Sequence, residues 1–338
     1  MTEKQVKQLL ENKKIPDGTS NVDFKETHIS WVVLGDDRAF KIKKPVKFSF
    51  ADFSTPEKRK EFCDLEIELN SRISPKMYLG VVPVIENKGN IQVVEEKNEN
   101  NVIDHAVMMK RMDNNKQMDV MLDEDRVDKD DVRRVAEKVV HFHKNARMVR
   151  NTFDVISFQD NYADINKHSD YISSKLGIDY AGVVNKAVSK SKIFLNDHRN
   201  LLNDRTILGF VKEVHGDLHS GNIFLYQDPV IFDCIEFNKS LRQIDILNEI
   251  AFFTMDMDFY GREDLAEEFF NLYAFRYPLD LNNEIMRLYN YYKSYRANVK
   301  AKILILAMQQ SEDGQEQKEI ANRAMSYIDL LDKYINEF

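Results

Sequence analysis

The sequence predicts an α+β fold, in which a five-stranded antiparallel sheet in the first third of the chain precedes a mostly helical remainder. Short runs of alternating apolar and polar residues, separated by turn sequences, fill the chain up to residue 112. After that point, apolar residues recur at helical spacing, most clearly over residues 130–147 and 283–310. We therefore predict an N-terminal lobe, residues 1–112, and a C-terminal helical lobe, residues 113–338.

The composition is that of a folded globular protein and excludes several functional classes. The chain has 338 residues, of which 43% are apolar, which is enough for a sizeable core. Its net charge of −8 and its scattered Lys and Arg residues argue against a nucleic-acid partner. Two cysteines make no disulfide framework or zinc site, and no apolar run approaches the roughly 18 residues of a membrane span. We expect a soluble, cytoplasmic protein that starts near Met1 and acts on a small molecule.

The first strands form a hairpin that carries two lysines. Residues 27–34 and 38–43 flank the turn Gly35-Asp36-Asp37. In the second strand, Lys41 and Lys43 share one face, opposite an apolar pair. From the strand alone, a solvated edge strand protected by lysines is favoured over a lysine that binds phosphate.

A helix with a carboxylate on its apolar face follows. Ser54-Thr55-Pro56-Glu57 combines an N-cap, an early proline and a capping-box Glu, and predicts a helix from Pro56 to Ile73. Glu66 falls within its apolar stripe, whereas Glu68 points elsewhere. A lysine such as Lys41 opposite a helix Glu is the pair that protein-kinase-like enzymes use to position nucleotide phosphates. A Glu66 that reaches solvent past the stripe is an equal alternative here.

The remaining strands lead to the helical part. Asn98 to Asn101 form a polar loop, and residues 109–112 connect the sheet to the following chain. In a kinase-like cleft this connection, with Met109 and Arg111, would offer backbone groups to adenine. No Gly-x-Gly-x-x-Gly loop lies between the first two strands. The three further strands are expected at residues 79–85, 91–95 and 105–112.

Several polar residues of the helical part have two interpretations. His141 and His143 cannot point together on one helix, so a structural His143 is favoured over a metal ligand. Arg296 lies within the apolar stripe of a long helix and is either an ion-pair partner, which we favour, or a substrate contact. An acidic cluster either lines a pocket for a cationic substrate or forms a solvated helix start and turn. Its members are Asp256, Asp258, Glu263 and Asp264.

The stretch HGDLHSGN, residues 215–222, carries the candidate chemistry together with Asp233 on a strand shortly after it. Phosphoryl transfer needs an oriented hydroxyl, a carboxylate to accept its proton and cations to offset the phosphate charge. Asp217 suits the base, Asn222 and Asp233 suit Mg²⁺, and Lys41 suits the phosphates. The structural alternative for Asp217 and Asn222 is a turn-forming pair. The two histidines of the stretch are better suited to fixing the loop.

HGDLHSGN with IFDCIEF resembles the aminoglycoside phosphotransferase and choline-kinase superfamily, whose members share a protein-kinase-like fold. THISWVVL, AFKIKKPV, FADFST, EIELN and LRQIDILNEIAF are similar to a bacterial phosphotransferase-like subfamily of largely unassigned substrate, often fused to a P-loop ATPase domain. The resemblance implies a two-lobe protein-kinase-like fold and the use of ATP and Mg²⁺. It also implies Asp217 as base, Asn222 and Asp233 as metal ligands, and Lys41 paired with Glu66.

The sequence departs from that family pattern in places. Cys234 and Ile235 follow Asp233 instead of Phe-Gly, so the activation behaviour of protein kinases is not expected. No P-loop motif occurs, so the chain is expected to be the kinase-like part alone, and Glu236 is a candidate to assist a second metal. The sequence hypothesis is a phosphotransferase that uses ATP and Mg²⁺ on a hydroxyl of a small molecule. Its alternatives are a nucleotide-binding regulator that transfers nothing, a protein kinase and a nucleotidyl transferase.

Overall fold

A computed structural model describes residues 1–16, 22–48, 51–95, 101–150 and 153–338. Most of the predicted polar loop from Asn98 to Asn101 lies outside these ranges. Strands dominate the chain before residue 112 and helices dominate it afterwards, so the α+β prediction is confirmed. No helix in the described ranges combines the length and the apolar character needed to cross a membrane.

The strands, in chain order, are β1 Asp23–Glu26, β2 Ser30–Leu34, β3 Arg38–Lys43, β4 Tyr78–Asn87, β5 Asn90–Val93, β6 Val102–Lys110, β7 Val211–Glu213, β8 Ile223–Phe224, β9 Val230–Ile231 and β10 Gln243–Asp245. The helices are α1 Glu3–Asn12, α2 Pro56–Ser71, α3 Met118–Asp123, α4 Lys129–Asn145, α5 Val155–Ala163, α6 Ser169–Lys175, α7 Ile178–Asp197, α8 Arg199–Ile207, α9 Lys239–Arg242, α10 Ile246–Phe259, α11 Glu263–Arg276, α12 Asn283–Gln310 and α13 Gly314–Tyr334. Short 3₁₀ turns occur at Asn114–Lys116, Asp164–His168 and Ser220–Asn222.

Packing divides the chain into two compact units. The sheet unit comprises residues 1–121 and 221–242, and the helical unit comprises residues 122–220 and 243–338. The predicted lobe boundary at residue 112 stays a prediction. Packing assigns a later part of the chain, residues 221–242, to the sheet unit as well. Asn222 and Asp233 therefore belong to the same unit as Lys41 and Glu66.

The sheet unit is built on an antiparallel sheet in the order β1-β2-β3-β6-β4-β5. Its sixth strand, β1, was not predicted, because its sequence Asp-Phe-Lys-Glu has little apolar alternation and all four residues are exposed at the sheet edge. Strand β3 lies between β2 and β6, and Lys41 and Lys43 are buried. The interpretation of β3 as a lysine-protected edge strand is therefore wrong.

Helix α2 packs against β4 and β6, and its Glu66 meets the two lysines of β3. Phe40 and Ile42 point into an apolar cluster on the opposite face, whereas Ala39 packs with Cys63 of α2. The helix begins at Pro56 as predicted, but Thr55 Oγ1 accepts the N–H of Lys58, so Lys58 and not the predicted Glu57 holds the third position of the cap. The two-residue period of β3 and the buried stripe of α2 thus place carboxylate and lysines opposite each other.

Helix α10 lies at the centre of the helical unit, and its residues from Ile246 to Asp258 are all buried. Helix α10 packs against α11, α12 and α13, and α11 also packs against α4. Because α10 is enclosed on every side, each polar residue on it needs a partner within the protein.

Candidate active site

An ion-pair network occupies the interior of the sheet unit. The Nζ atoms of Lys41 and Lys43 lie 2.9 Å and 2.7 Å from the two carboxylate oxygens of Glu66, which is fully buried. Lys41 Nζ also lies 2.5 Å from Asp233 Oδ1. The ion pair of Lys41 with Glu66 that the family resemblance implies is thus present, and the solvent-reaching alternative for Glu66 is wrong. Its role in binding a nucleotide stays a prediction.

The second lysine of β3 holds a further carboxylate. Lys43 Nζ donates to Glu236 Oε1, and both side chains are buried. Glu236 is therefore an ion-pair partner of Lys43, and the suggestion that it assists a second metal has no support from this position. No sequence pattern pointed to the pairing, because Lys43 and Glu236 are far apart along the chain.

Opposing effects set the ionisation of this network. Burial alone would raise the pKa of Glu66. The charges of Lys41 and Lys43 and their hydrogen bonds have the larger effect and lower this pKa to about 2. Burial likewise lowers the pKa of Lys41, and the carboxylates of Asp233, Glu66 and Glu236 outweigh this and raise it well above its ordinary value. Lys41 and Glu66 are therefore both charged at neutral pH.

Asp233 is held in a special backbone conformation. Its φ angle of +64° lies in the left-handed region, which costs a non-glycine residue on the order of 1 kcal/mol. Its N–H donates to the Tyr78 hydroxyl at 3.1 Å, and the next N–H, of Cys234, donates to Asn70 Oδ1 at 2.9 Å. These bonds to side chains outside the segment fix the turn and direct the Asp233 carboxylate towards Lys41.

Asn222 reaches the same cavity through a short hairpin. Strands β8 and β9 pair in antiparallel register, and the Phe232 N–H donates to the Asn222 carbonyl oxygen at 3.0 Å. Asn222 and Asp233 are consequently close neighbours across the hairpin. Both line a cavity of about 280 Å³ within the sheet unit. Its other polar lining residues include Lys25, Thr27, Lys41, Glu66, Arg111 and Gln117.

The donor set of this cavity fits Mg²⁺ bound together with phosphate. In the residues that the structure describes, no group of three or more His, Cys, Asp or Glu side chains could hold a metal ion. Asn222 and Asp233 offer an amide and a carboxylate oxygen on the cavity wall. Mg²⁺ is commonly held by one or two carboxylates plus substrate phosphates and water rather than by an all-protein cage.

The end of β6, with Met109, and the connection after it, with Arg111 and Met112, form another wall of the cavity. The Arg111 N–H donates to the Asp37 carbonyl at 2.8 Å, and its guanidinium donates to the Gly35 carbonyl at 2.5 Å and to Asp23 at 2.7 Å. The Met112 N–H has no acceptor among the described residues. A backbone donor for a purine base would therefore come from Met112, whereas the Arg111 N–H is already bonded.

Asp217 lies in the helical unit, on the loop after β7. Its side chain is 39% exposed, and its Oδ2 lies 3.4 Å from His219 Nε2. Its N–H donates to His215 Nδ1 at 3.3 Å, which supports a loop-fixing role for this histidine. Desolvation raises the pKa of Asp217, but the nearby His219, Lys300 and His215 outweigh it and hold the pKa well below its usual range. Asp217 is therefore a carboxylate that can accept a proton.

Glu249 of α10 anchors this loop and was missed in the sequence. Its carboxylate accepts the N–H groups of His215 at 3.0 Å and Gly216 at 2.6 Å. It also bonds His143 Nε2 at 2.9 Å, while His143 Nδ1 bonds the Tyr273 hydroxyl at 2.7 Å. His143 therefore has the structural role that was favoured for it. An acid inside the apolar run Leu-Asn-Glu-Ile-Ala-Phe-Phe was the available signal, since a buried acid needs partners.

We expect Glu249→Ala to lower the free energy of unfolding by about 2–4 kcal/mol, because two buried N–H groups and His143 would lose their acceptor. Urea unfolding followed by circular dichroism measures the loss. The control is Glu267→Ala on the exposed face of α11, which should change stability by less than about 0.5 kcal/mol. Equal stability of the two variants would contradict the anchoring role.

Three other charged residues of the helical unit have hydrogen-bond or ion-pair partners within the protein. Arg296 is buried, donates to Asn248 Oδ1 at 2.7 Å and to the Gly216 carbonyl at 3.2 Å, and so supports the loop through hydrogen bonds rather than the favoured ion pair. Asp256 is buried and accepts the Ser220 N–H at 2.7 Å. Asp258 is buried against Lys293 and the Tyr334 hydroxyl. A solvated helix start therefore does not explain these two acids.

Sequence comparison finds curated relatives of this chain but no matching family model. No family model matches it. Uncharacterized proteins of Mycobacterium tuberculosis and Mycobacterium bovis are 31% identical to it over 293 residues, which is 83% of this chain and 54% of theirs. The chain thus spans about half the length of these curated relatives. The predicted likeness to proteins fused to a P-loop ATPase domain stays a prediction.

Solved structures match the whole fold at low sequence identity. Choline kinase from Cryptosporidium parvum has a TM-score of 0.54 at 14% identity, with 99% of this chain and 97% of that chain covered. Ethanolamine kinase from Plasmodium vivax has a TM-score of 0.52 at 12% identity, covering 96% and 87%. The GDP and kanamycin complex of APH(2″)-IIIa has a TM-score of 0.54 at 10% identity, covering 96% and 98%. The chain therefore shares the fold of these structures, which is the kinase-like fold that its sequence motifs predict.

Proposed function

We propose that this protein is a phosphotransferase that uses ATP and Mg²⁺ and transfers the γ-phosphoryl group to a hydroxyl of a small molecule. The observation that carries the proposal is the cavity of the sheet unit, where Lys41 contacts both Glu66 and Asp233 and where Asn222 lies on the wall. Lys41 provides a fixed positive charge for phosphate oxygens, and Asn222 and Asp233 provide two oxygen atoms for a divalent ion. Use of ATP favours the cytoplasm as its location.

Each residue has a role in nucleotide binding under this proposal. Glu66 holds Lys41 in place, and Lys41 binds the phosphates. The Met112 N–H binds the purine base. Asn222 and Asp233 would hold Mg²⁺, which offsets the negative charge of the phosphates when it is bound.

Asp217 accepts the proton of the acceptor in the transfer step. The hydroxyl oxygen bonds to the γ-phosphorus while the bond from that phosphorus to the β,γ-bridging oxygen breaks. The hydroxyl proton passes to Asp217, and the products are a phosphate monoester and ADP. Glu249 and Arg296 act through the backbone of the loop and are positioning residues.

The test uses the full chain with MgATP and a panel of hydroxyl compounds. ADP release is measured by a coupled assay, and products are identified by mass spectrometry. The proposal expects ADP and an acceptor that gains the mass of one phosphate group. Nucleotide binding by calorimetry without any product would favour the regulator. A phosphorylated protein or an acceptor carrying AMP would instead indicate a protein kinase or a nucleotidyl transferase.

A further inference from the structure

An arginine, a lysine and a histidine side chain gather beside Asp217 in the helical unit. The Arg296 guanidinium carbon lies 4.6 Å and Lys300 Nζ lies 5.2 Å from the centre of the Phe252 ring. The ring of His219, whose Nε2 is 3.4 Å from Asp217 Oδ2, lies 5.5 Å from the same ring. One aromatic side chain thus brings an arginine, a lysine and a histidine next to the candidate base.

These cations differ in what they already bind. Arg296 is buried and donates to Asn248 and to the Gly216 carbonyl, so the fold itself explains its presence. Lys300 is half-buried one helical turn later, and its Nζ has no carboxylate or hydrogen-bond partner among the described residues. An ammonium group in a partly buried position without a partner is suited to an anion from outside the chain.

The acids of α10 are bound to other groups, so Asp217 is the carboxylate that offsets part of the charge of Lys300 and Arg296. Glu249 is bound to His143 and to two loop N–H groups, Asp256 is bound to Ser220, and Asp258 is bound to Lys293. With one carboxylate against two fixed cations, an ammonium group placed at Lys300 would on balance be repelled, whereas an anionic group would be attracted. The charge beside Asp217 therefore discriminates between acceptors by their sign.

We propose that the acceptor is an anionic hydroxy compound, carrying a carboxylate or a phosphate ester, whose anionic group binds Lys300 while its hydroxyl faces Asp217. This inference rests on the proposed function and names its substrate class. The hydroxyl gives its proton to Asp217 as above, and the anionic group takes no part in bond making. Lys300 is thus a specificity-determining residue for the acceptor.

The first test compares acceptors that share a sugar ring and differ in charge: glucuronate, glucose 6-phosphate, glucose and glucosamine. With the full chain and MgATP, we expect kcat/KM for an anionic member to exceed that for glucose and glucosamine by about tenfold or more. Glucuronate and glucose 6-phosphate distinguish a carboxylate from a phosphate requirement. Preference for glucosamine would overturn the inference while leaving the proposed function intact.

Variants on α12 tie the preference to one side chain. Lys300→Met should raise KM for the preferred anion by about 10- to 100-fold and reduce the discrimination, and Lys300→Arg should restore most of it. The matched control is Lys302→Met, since Lys302 has the same charge on the same helix but is paired with Asp164 at 2.9 Å. A Lys300→Met variant with kcat lowered equally for all acceptors would assign Lys300 to the transferred phosphate and overturn the inference.

A binding measurement does not depend on turnover. In protein labelled with ¹³C at the lysine ε-carbon and saturated with Mg²⁺ and a non-hydrolysable ATP analogue, the Lys300 signal is assigned by its loss in Lys300→Arg. Glucuronate or glucose 6-phosphate should shift this signal, and glucosamine should not. Shifts without any ATP consumption would support the anion site and contradict the proposed function. No shift with either anion would overturn the inference even in an active enzyme.

Discussion

Asp217→Asn is expected to lower kcat for phosphoryl transfer by about 10²–10⁴-fold while the protein stays folded. The substitution keeps the size of the side chain but removes the carboxylate that is proposed to accept the hydroxyl proton. Asp217 is 39% exposed and its contact with His219 spans 3.4 Å, so loss of this pair should cost at most about 1 kcal/mol of stability. Activity and stability should therefore separate in this variant.

Steady-state kinetics with MgATP and an accepted hydroxyl compound measure the effect, and calorimetry measures nucleotide affinity. Affinity for MgATP should change by less than about threefold, because the proposed role of Asp217 is on the acceptor rather than on the nucleotide. The control is Asp228→Asn, which removes the same charge from an exposed turn after β8. If Asp217→Asn kept more than about a tenth of the wild-type kcat, another group would have to be the base.

The low pKa of Asp217 adds a pH dependence to this prediction. Because nearby cationic groups hold this pKa well below its usual range, Asp217 stays ionised over about pH 5–8. Its protonation should therefore not reduce kcat/KM in that interval. An acid limb near neutral pH that disappears in Asp217→Asn would contradict the assignment.

The features that the sequence predicts are those encoded within single elements. The two-residue period of β3 put Lys41 on one face, and the helical period of α2 put Glu66 on its buried stripe, so their pairing needed only that the two faces meet. The spacing of Asp217 and Asn222 on one loop was likewise local. The pattern thus predicted which residues share a face, although the strand alone favoured a solvated Lys41 and left Glu66 with two interpretations.

The missed features depend on contacts between distant parts of the chain. Lys43 looked like a solvated lysine because Glu236, its partner, comes from a segment after β9. Strand β1 has no apolar face and exists through its pairing with β2. The sequence left Asp256 open between a substrate pocket and a solvated helix start, and it did not point to Glu249, but both are buried as acceptors for loop N–H groups. Local periodicity carries no information on such partners.

Glu66→Ala is expected to lower the free energy of unfolding by about 3–5 kcal/mol, because a buried carboxylate that pairs with two buried lysines would be lost. Lys41 would keep Asp233 and Lys43 would keep Glu236, but each ammonium group would lose one of its two anionic partners. Urea unfolding at neutral pH measures the change. The matched control is Glu68→Ala on the exposed face of the same helix, with an expected change below about 0.5 kcal/mol.

The stabilising effect of Glu66 must also depend on pH in a defined direction. Its pKa falls from 4.5, the value expected without the fold, to about 2 in the folded protein, so the folded state favours the ionised form. The contribution is complete above about pH 4.5 and is lost as the pH falls towards 2. The stability difference between wild type and Glu66→Gln should therefore be largest above pH 4.5 and shrink below it. A difference that stayed constant from pH 7 to pH 3 would mean that packing, and not the charge shared with Lys41 and Lys43, accounts for the role of Glu66.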